Sequence, residues 1–225
     1  MNLGVIIQAR MGSTRLPGKI FKRIGNKTLL EHIIHRAFFL KHDHTFVIAT
    51  SNLSADDIVA KFCNDKKINC FRGSESDVLE RYYQCAKLYC FDHIVRLTAD
   101  NPFVDMEEVD RLIDLHIESN SDYTHSFNSL PVGVGSEIFT FAALEKSFRE
   151  GHEPHHREHV NEYMLENPKI FKTVKLQVNE MKQRPDIRLT VDTIDDYNKA
   201  CYIINNSLQD IIPTEEAIKL CLQYA

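Results

Sequence analysis

The sequence predicts an α/β protein: a three-layer, mostly parallel sheet with helices on both faces and a small hairpin lobe. Short apolar, β-branched runs alternate along the chain with segments of helical periodicity. The first of these runs ends abruptly at a basic loop that contains glycine, and two later runs each end in an aspartate. With 225 residues, 43% of them apolar, and no repeat or linker in the sequence, we expect a single domain over residues 1–225.

The first half of the chain predicts a regular alternation of strands and helices. A helix over 28–41 is indicated by apolar residues that recur at the spacing of one helix face: Leu29, Ile33, Ala37 and Leu40. The next helix opens at 54–57, where a serine cap is followed by acids. The other elements of this half are strands over 3–9, 45–50, 69–73 and 93–99 and helices over 78–90 and 106–119.

The second half is less regular. Segments 172–178 and 187–192 both resemble strands, and the polar stretch between them predicts a turn, so we expect them to pair as the small hairpin lobe. The other predicted elements are strands over 123–126 and 136–140 and helices over 141–149, from 151–158 to about 165, 195–208 and 213–225.

Composition limits the class of partner. A formal charge of −5 and a pI near 6.1 give no general attraction to nucleic acid or to an anionic membrane. The six cysteines are scattered without a CxxC motif, which is typical of reduced thiols. The sequence has neither a secretion-signal pattern nor an apolar run approaching 18 residues. We therefore expect a cytoplasmic protein that binds neither nucleic acid nor membrane.

The loop after the first strand predicts an anion site. It carries three cations, Arg10, Arg15 and Lys19, beside Gly12 and Gly18, where the absence of Cβ lets backbone N–H groups approach phosphate oxygens. The loop matches neither GxxxxGK[ST] nor GxGxxG. A solvated basic surface is the alternative, but the position at the carboxyl end of a predicted strand favours a polyanionic ligand.

Two aspartates follow predicted strands, Asp100 in RLTAD and Asp192 in RLTVD. Carboxylates at the same edge of a sheet can share one Mg²⁺, a cation that prefers oxygen ligands. Each could instead serve only as the N-cap of the helix that follows it. Together with a phosphate-type loop, the pair favours metal binding.

The motifs resemble a known family. The stretch IIQARMGSTRLPGK is similar to the amino-terminal signature of the nucleotidyltransferases that make CMP-sugars, in particular the branch of spore coat polysaccharide biosynthesis protein F. RLTADNPFVD and RLTVDTIDDY resemble two further family segments, with Ile194 where the family usually has proline. The resemblance implies a nucleotide-diphospho-sugar transferase (GT-A/Rossmann-like) fold, CTP held at the basic loop, and Mg²⁺ held by Asp100 and Asp192.

The resemblance also implies roles for individual residues. RGSESDVLERY is similar to a family segment near the nucleotide, and SEIF to one near the acceptor. REHV is similar to a segment near the acceptor or a subunit contact. The implied catalytic residues are Arg10, Lys19, Asp100 and Asp192. The implied nucleotide-binding residues are Gln8, Ala9, Arg10, Gly12, Ser13, Arg15, Lys19, Arg72 and Ser74, and the implied substrate-binding residues are Glu137, Arg157, His159 and Arg188.

The implied function is Mg²⁺-dependent transfer of CMP from CTP to a sugar-like acceptor, by a homodimer. A nonulosonic acid is the first choice of acceptor, followed by an alditol phosphate or phosphonate. A glycosyltransferase of the same fold and a non-catalytic nucleotide-binding subunit are the alternatives; the first normally carries a DxD motif, which the sequence lacks. His155 and His159 have the i, i+4 spacing of paired zinc ligands, but no third ligand accompanies them and we do not favour a zinc site.

Overall fold

The computed structural model describes residues 1–224. Within them the strands are β1 (Leu3–Gln8), β2 (Arg23–Ile24), β3 (Lys27–Thr28), β4 (Thr45–Ser51), β5 (Asn69–Gly73), β6 (His93–Thr98), β7 (Tyr123–His125), β8 (Glu137–Thr140) and β9 (Thr173–Lys175). The helices are α1 (Leu29–Ala37), α2 (Asp57–Lys66), α3 (Val78–Leu88), α4 (Met106–Ser119), α5 (Phe141–Glu150), α6 (Pro154–Glu158), α7 (Glu162–Glu166), α8 (Ile194–Asn206) and α9 (Thr214–Gln223).

The main sheet has seven strands in the order β5-β4-β1-β6-β8-β7-β9. The β5-β4-β1-β6 half is parallel, β8 runs antiparallel to both of its neighbours, and β9 is parallel to β7. Strand β1 therefore lies between two parallel neighbours, and the loop that follows it emerges at the carboxyl edge of the parallel half. The mostly parallel three-layer prediction is confirmed.

Alternation along β1 explains the three layers. Val5 and Ile7 pack into one apolar core with α1, α4, α8 and α9, whereas Ile6 packs into the opposite core with α3 and α5. Successive side chains of a strand point to opposite faces, so one buried strand contributes to both cores. Gly4 leaves room for the Phe91 ring to pack against β1, because a Cβ at this position would lie 2.2 Å from that ring.

Two of the predicted elements need correction. Segments 172–178 and 187–192 do not form a hairpin lobe: β9 joins the edge of the main sheet beside β7, and 187–192 makes one isolated bridge, from Arg188 to Val132. The two-stranded sheet of the structure is instead β2-β3, just after the basic loop. The single helix predicted across 151–165 is two short helices, α6 and α7.

Residue 225, the last of the predicted 213–225 helix, lies outside the described residues. None of the helices in residues 1–224 has both the length and the apolar content needed to span a bilayer.

Candidate active site

A cleft opens where β1 and β6 end side by side, with Gln8 in register with Thr98. It has two compartments of about 350 and 530 Å³. Residues that line both are Gln8, Arg10, Thr98, Asp100, Glu158 and Asp192. The first compartment is completed by the basic loop, with Gly12, Ser13, Arg15 and Lys19. The second is completed by residues that include Arg96, Asn101, His159 and Arg188.

The basic loop is anchored at its start by a buried carboxylate. Asp56 accepts hydrogen bonds from the Met11 N–H at 2.6 Å and the Ser51 N–H at 3.2 Å, and also from the Ser51 hydroxyl. At the other end, Gly18 adopts φ +64, a left-handed conformation that favours glycine, and Lys19 follows immediately. The loop conformation thus delivers Lys19 to the floor of the cleft.

Lys19 joins the two predicted aspartates. Its Nζ donates to Asp100 Oδ2 at 2.7 Å, to Asp192 Oδ1 at 2.8 Å and to the Val191 carbonyl at 3.0 Å. Only 10% of the lysine side chain is exposed. Residues separated by 81 and 173 positions from Lys19 therefore meet at one ammonium group.

Backbone contacts explain how Asp192 arrives there without a strand. The Val191 N–H donates to the Asp100 carbonyl at 2.9 Å, which ties the two segments together next to both carboxylates. The prediction that Asp192 ends a strand is wrong, but its placement beside Asp100 is correct. Neither acid caps a helix, because α4 is capped by Asp105 and α8 by Thr193.

Cations surround Asp192. Arg15 lies 3.3 Å from its Oδ1, and Arg188 donates to its Oδ2 while also pairing with Asp196. Burial alone raises the pKa of Asp192, but the hydrogen bond and charge of Lys19 and the charges of Arg15 and Arg188 outweigh it, so the pKa lies below its usual range. Asp192 is thus held ionised at neutral pH.

The donor set of the cleft fits a hard divalent cation. Asp100 and Asp192 offer carboxylate oxygens on adjacent segments, and both side chains keep partial access to the cleft, at 27% and 20% exposure. Within residues 1–224, Asp100 Oδ1 makes no protein hydrogen bond, so one oxygen is available without breaking the Lys19 contact. All-oxygen ligands with neighbouring phosphate groups are what Mg²⁺ prefers.

Four of the predicted nucleotide or substrate residues do not line either compartment of the cleft. Arg72 is held by Asp57 at 2.7 Å and by the carbonyls of Ser51 and Leu53. Ser74 Oγ accepts the Asp77 N–H, a local turn contact.

The other two are Ala9 and Arg157. Ala9 is buried and donates its N–H to Ala49. Arg157 pairs with Asp77 at 2.9 Å and stacks over Phe148. Direct contact with a ligand in either compartment is therefore not supported for these four.

Glu137 is also misplaced by the sequence prediction, which put it against the acceptor. Its side chain is fully buried, and its carboxylate accepts hydrogen bonds from Arg96 Nη1 at 2.7 Å and from the Tyr123 hydroxyl. Burial, together with Glu137, raises the pKa of Tyr123, so its hydroxyl stays protonated as a donor. In place of Glu137, its partner Arg96 lines the second compartment.

The two remaining acceptor candidates do line the second compartment, His159 and Arg188. His159 does not pair with His155, whose Nε2 contacts Glu166 at 2.8 Å beside His156. His155, His156 and Glu166 converge closely enough to hold an ion. The Glu153 N–H points at His156 Nδ1, which leaves Nε2 as the protonated nitrogen and opposes metal binding there.

Sequence reasoning missed Arg96, Asn101, Glu158 and the anchor Asp56. Three of these had a usable signal, since Arg96 precedes and Asn101 follows the end of β6, and Glu158 belongs to REHV. Asp56 had none, because its role depends on β4 lying beside the basic loop. Two buried cleft atoms, Gln8 Oε1 and Asn101 Oδ1, have no protein partner in residues 1–224, a pattern typical of ligand contacts.

A mostly parallel α/β sheet with a cationic loop beside converging aspartates defines the nucleotidyltransferase class. A family model described as cytidylyltransferase matches residues 4–222. The chain therefore belongs to the cytidylyltransferase family.

Individual relatives agree with this assignment. The spore coat polysaccharide biosynthesis protein SpsF of Bacillus subtilis is 39% identical over 217 residues, covering 93% of this chain and 90% of its own. A cytidylyltransferase structure from Leptospira borgpetersenii superposes with a TM-score of 0.92 at 33% identity, covering 99% of this chain and 94% of its own. A CMP:2-keto-3-deoxy-manno-octonic acid synthetase complexed with CTP shares the fold, with a TM-score of 0.68 at 17% identity, covering 92% of this chain and all of its own.

Proposed function

We propose that this protein transfers CMP from CTP to a nonulosonic acid or related sugar destined for surface polysaccharide, with release of pyrophosphate. The observation that carries the proposal is the convergence of Lys19 with Asp100 and Asp192 beside the basic loop. Supporting it, the relatives include a polysaccharide biosynthesis protein and a cytidylyltransferase. Residues 1–225 would act as one nucleotidyltransferase domain, which agrees with the span of the family match.

In the proposed reaction, an acceptor hydroxyl oxygen forms a bond to the α-phosphorus of CTP and the α–β phosphoanhydride bond breaks. Pyrophosphate leaves with the bonding electron pair, and the hydroxyl proton passes to solvent or to a nearby base. Positioning and charge neutralisation supply most of the rate enhancement in such transfers. The cations of the basic loop, Arg10, Arg15 and Lys19, are placed to hold the triphosphate and to stabilise the charge that develops on the leaving group.

Asp100 and Asp192 would hold Mg²⁺, which when bound supplies positive charge to the phosphate oxygens. Lys19 donates to both acids and Arg15 lies 3.3 Å from Asp192, so we expect ligand binding to turn both cations toward phosphate. Gln8, Gly12 and Ser13 complete the nucleotide compartment. Preference for cytosine rests on the family, and the second compartment would take the acceptor.

The decisive experiment crosses four nucleoside triphosphates with a panel of acceptors, with and without Mg²⁺, and measures released pyrophosphate. We expect release only with CTP, Mg²⁺ and an acceptor together. Release of the nucleotide from a nucleotide-sugar donor, with no pyrophosphate released from CTP, would favour a glycosyltransferase. Tight CTP binding without turnover across the panel would favour a non-catalytic subunit.

We also propose a cytoplasmic homodimer. Analytical ultracentrifugation of the full chain tests the assembly, and a monomer at micromolar concentration would contradict it. Fractionation of the native cells tests the compartment.

A further inference from the structure

The second compartment contains a buried arginine with donors that the protein leaves unused. Arg96 extends from β6 into this compartment, with 18% of its side chain exposed. Of its five N–H donors, the described contacts use one, from Nη1 to Glu137 Oε1 at 2.7 Å. Its Nε is buried without a partner, and its Nη2 makes no hydrogen bond within residues 1–224.

The guanidinium is held rigidly in this orientation. Glu137 binds it on one side and in turn accepts a hydrogen bond from the Tyr123 hydroxyl, which itself accepts one from Asn161 Nδ2 at 3.1 Å. The Tyr82 ring lies beneath the guanidinium at 5.8 Å. Of these residues, Arg96 is the one that lines the cleft. The others therefore hold Arg96 in place, while its remaining donors have no acceptor within residues 1–224.

Stability does not explain the arrangement. A buried ion pair commonly contributes little net stability, since desolvation of both charges offsets their attraction. A buried donor left without an acceptor costs free energy. A ligand oxygen that accepts from Arg96 would offset both the desolvation of the ion pair and the unpaired donor. The planar fork of a guanidinium matches the two oxygens of a carboxylate or phosphate.

We propose that Arg96 recognises an oxyanion on the acceptor, a carboxylate or a phosphate, and so determines which acceptors are used. This inference rests on the proposed function. Arg188 and His159 line the same compartment, but Arg188 is occupied by Asp192 and Asp196. Arg10 lines it too, but belongs to the basic loop and lies 4.0 Å from Glu75. Of these three arginines, Arg96 is the one with a buried N–H donor that has no partner within residues 1–224.

The test removes both charges of the Arg96–Glu137 ion pair, because removing one charge alone would leave the other buried without its partner. Arg96→Met/Glu137→Gln replaces the ion pair with groups of similar shape. The control is Arg149→Met/Glu145→Gln, which removes a surface pair of the same type, with Arg149 at 2.8 Å from Glu145 and the Tyr83 hydroxyl also bonded to Glu145. Circular dichroism and melting temperature establish that both variants fold.

Kinetics are measured with a nonulosonic acid, its C1 methyl ester and an alditol phosphate. We expect the wild type and the control to use one of the two anionic acceptors and to reject the ester, and which anion is used identifies the oxyanion. The Arg96 variant should show an acceptor KM raised about 10- to 100-fold, as for loss of a hydrogen bond to a charged group, with the KM for CTP unchanged. Equal use of acid and ester, or an unchanged acceptor KM in the variant, would overturn the assignment.

A binding readout separates this inference from the proposed reaction. Calorimetry is performed on protein loaded with Mg²⁺ and a non-hydrolysable CTP analogue. If no turnover occurs but the wild type binds the acid or the phosphate and the Arg96 variant does not, the reaction assignment fails and the Arg96 assignment stands. If the wild type binds neither anion, the Arg96 assignment is wrong.

Discussion

Replacement of Lys19 by methionine tests the centre of the site most directly. Methionine keeps the length and apolar stem of lysine while removing the ammonium that bridges Asp100 and Asp192. The change leaves two carboxylates facing one another and deprives the triphosphate of a cation. It therefore separates the chemistry of the ammonium from the packing of the side chain.

The size of the effect follows from the position of the ammonium. Nζ lies 2.7 and 2.8 Å from the two carboxylates in a side chain that is 10% exposed, so its charge is only partly screened by water. For charges about 4 Å apart, an effective dielectric constant near 20 corresponds to about 4 kcal/mol. If that energy is realised mainly in the transition state, kcat falls about 10³-fold.

The assay is pyrophosphate release with saturating CTP, acceptor and Mg²⁺, with Lys61→Met as the matched control. Lys61 is an exposed lysine that pairs with Asp65 on the surface of α2, and its loss should leave kcat unchanged. Melting temperatures taken with and without Mg²⁺ should show a larger stabilisation by the metal in Lys19→Met, because Asp100 and Asp192 lose the ammonium that they share and attract the cation more strongly. A Lys19→Met enzyme with kcat within about tenfold of wild type would refute the reasoning.

Three further predictions concern the supports of the site and the core. Asp56→Asn should raise the KM for CTP about tenfold by freeing the start of the basic loop, whereas Asp57→Asn should not; equal values for the two variants would argue against the anchor. Burial lowers the pKa of His116 to about 4 from the ordinary 6.5. The unfolded chain therefore takes up this proton first, and acidification from pH 6.5 to 4 should cost about 3 kcal/mol of unfolding free energy, with no change above pH 6.5. Urea titrations at pH 7.5 and 4.5 measure the loss, and His116→Gln should reduce it; an identical loss in both proteins would contradict the assignment. Gly133→Ala should lower the free energy of unfolding by about 1–3 kcal/mol, because φ is +92 and the added methyl would meet Thr190 N at 2.6 Å. Denaturant midpoints matching those of wild type would show that the loop adapts.

The parallel half of the fold was determined by local sequence. Buried parallel strands are short apolar runs, and their helices carry apolar residues on one face, so β1, β4, β5 and β6 could be placed from periodicity alone. Their shared direction then put the basic loop and Asp100 at one edge. Because parallel strands expose their carboxyl ends together, this part of the site followed directly from the order of elements.

What only the tertiary structure decided depends on contacts between distant segments. Asp192 reaches Asp100 through a backbone hydrogen bond from Val191, a pairing that no local pattern encodes. Glu137 lies on β8 and Arg96 on β6, and the sequence of each strand allows the side chain to be either exposed or buried. Antiparallel pairing of β6 with β8 turned the glutamate inward and the arginine toward the cleft. Periodicity reports which residues are apolar, whereas the partner of a polar side chain is set by strand register and helix packing, which are properties of the whole chain.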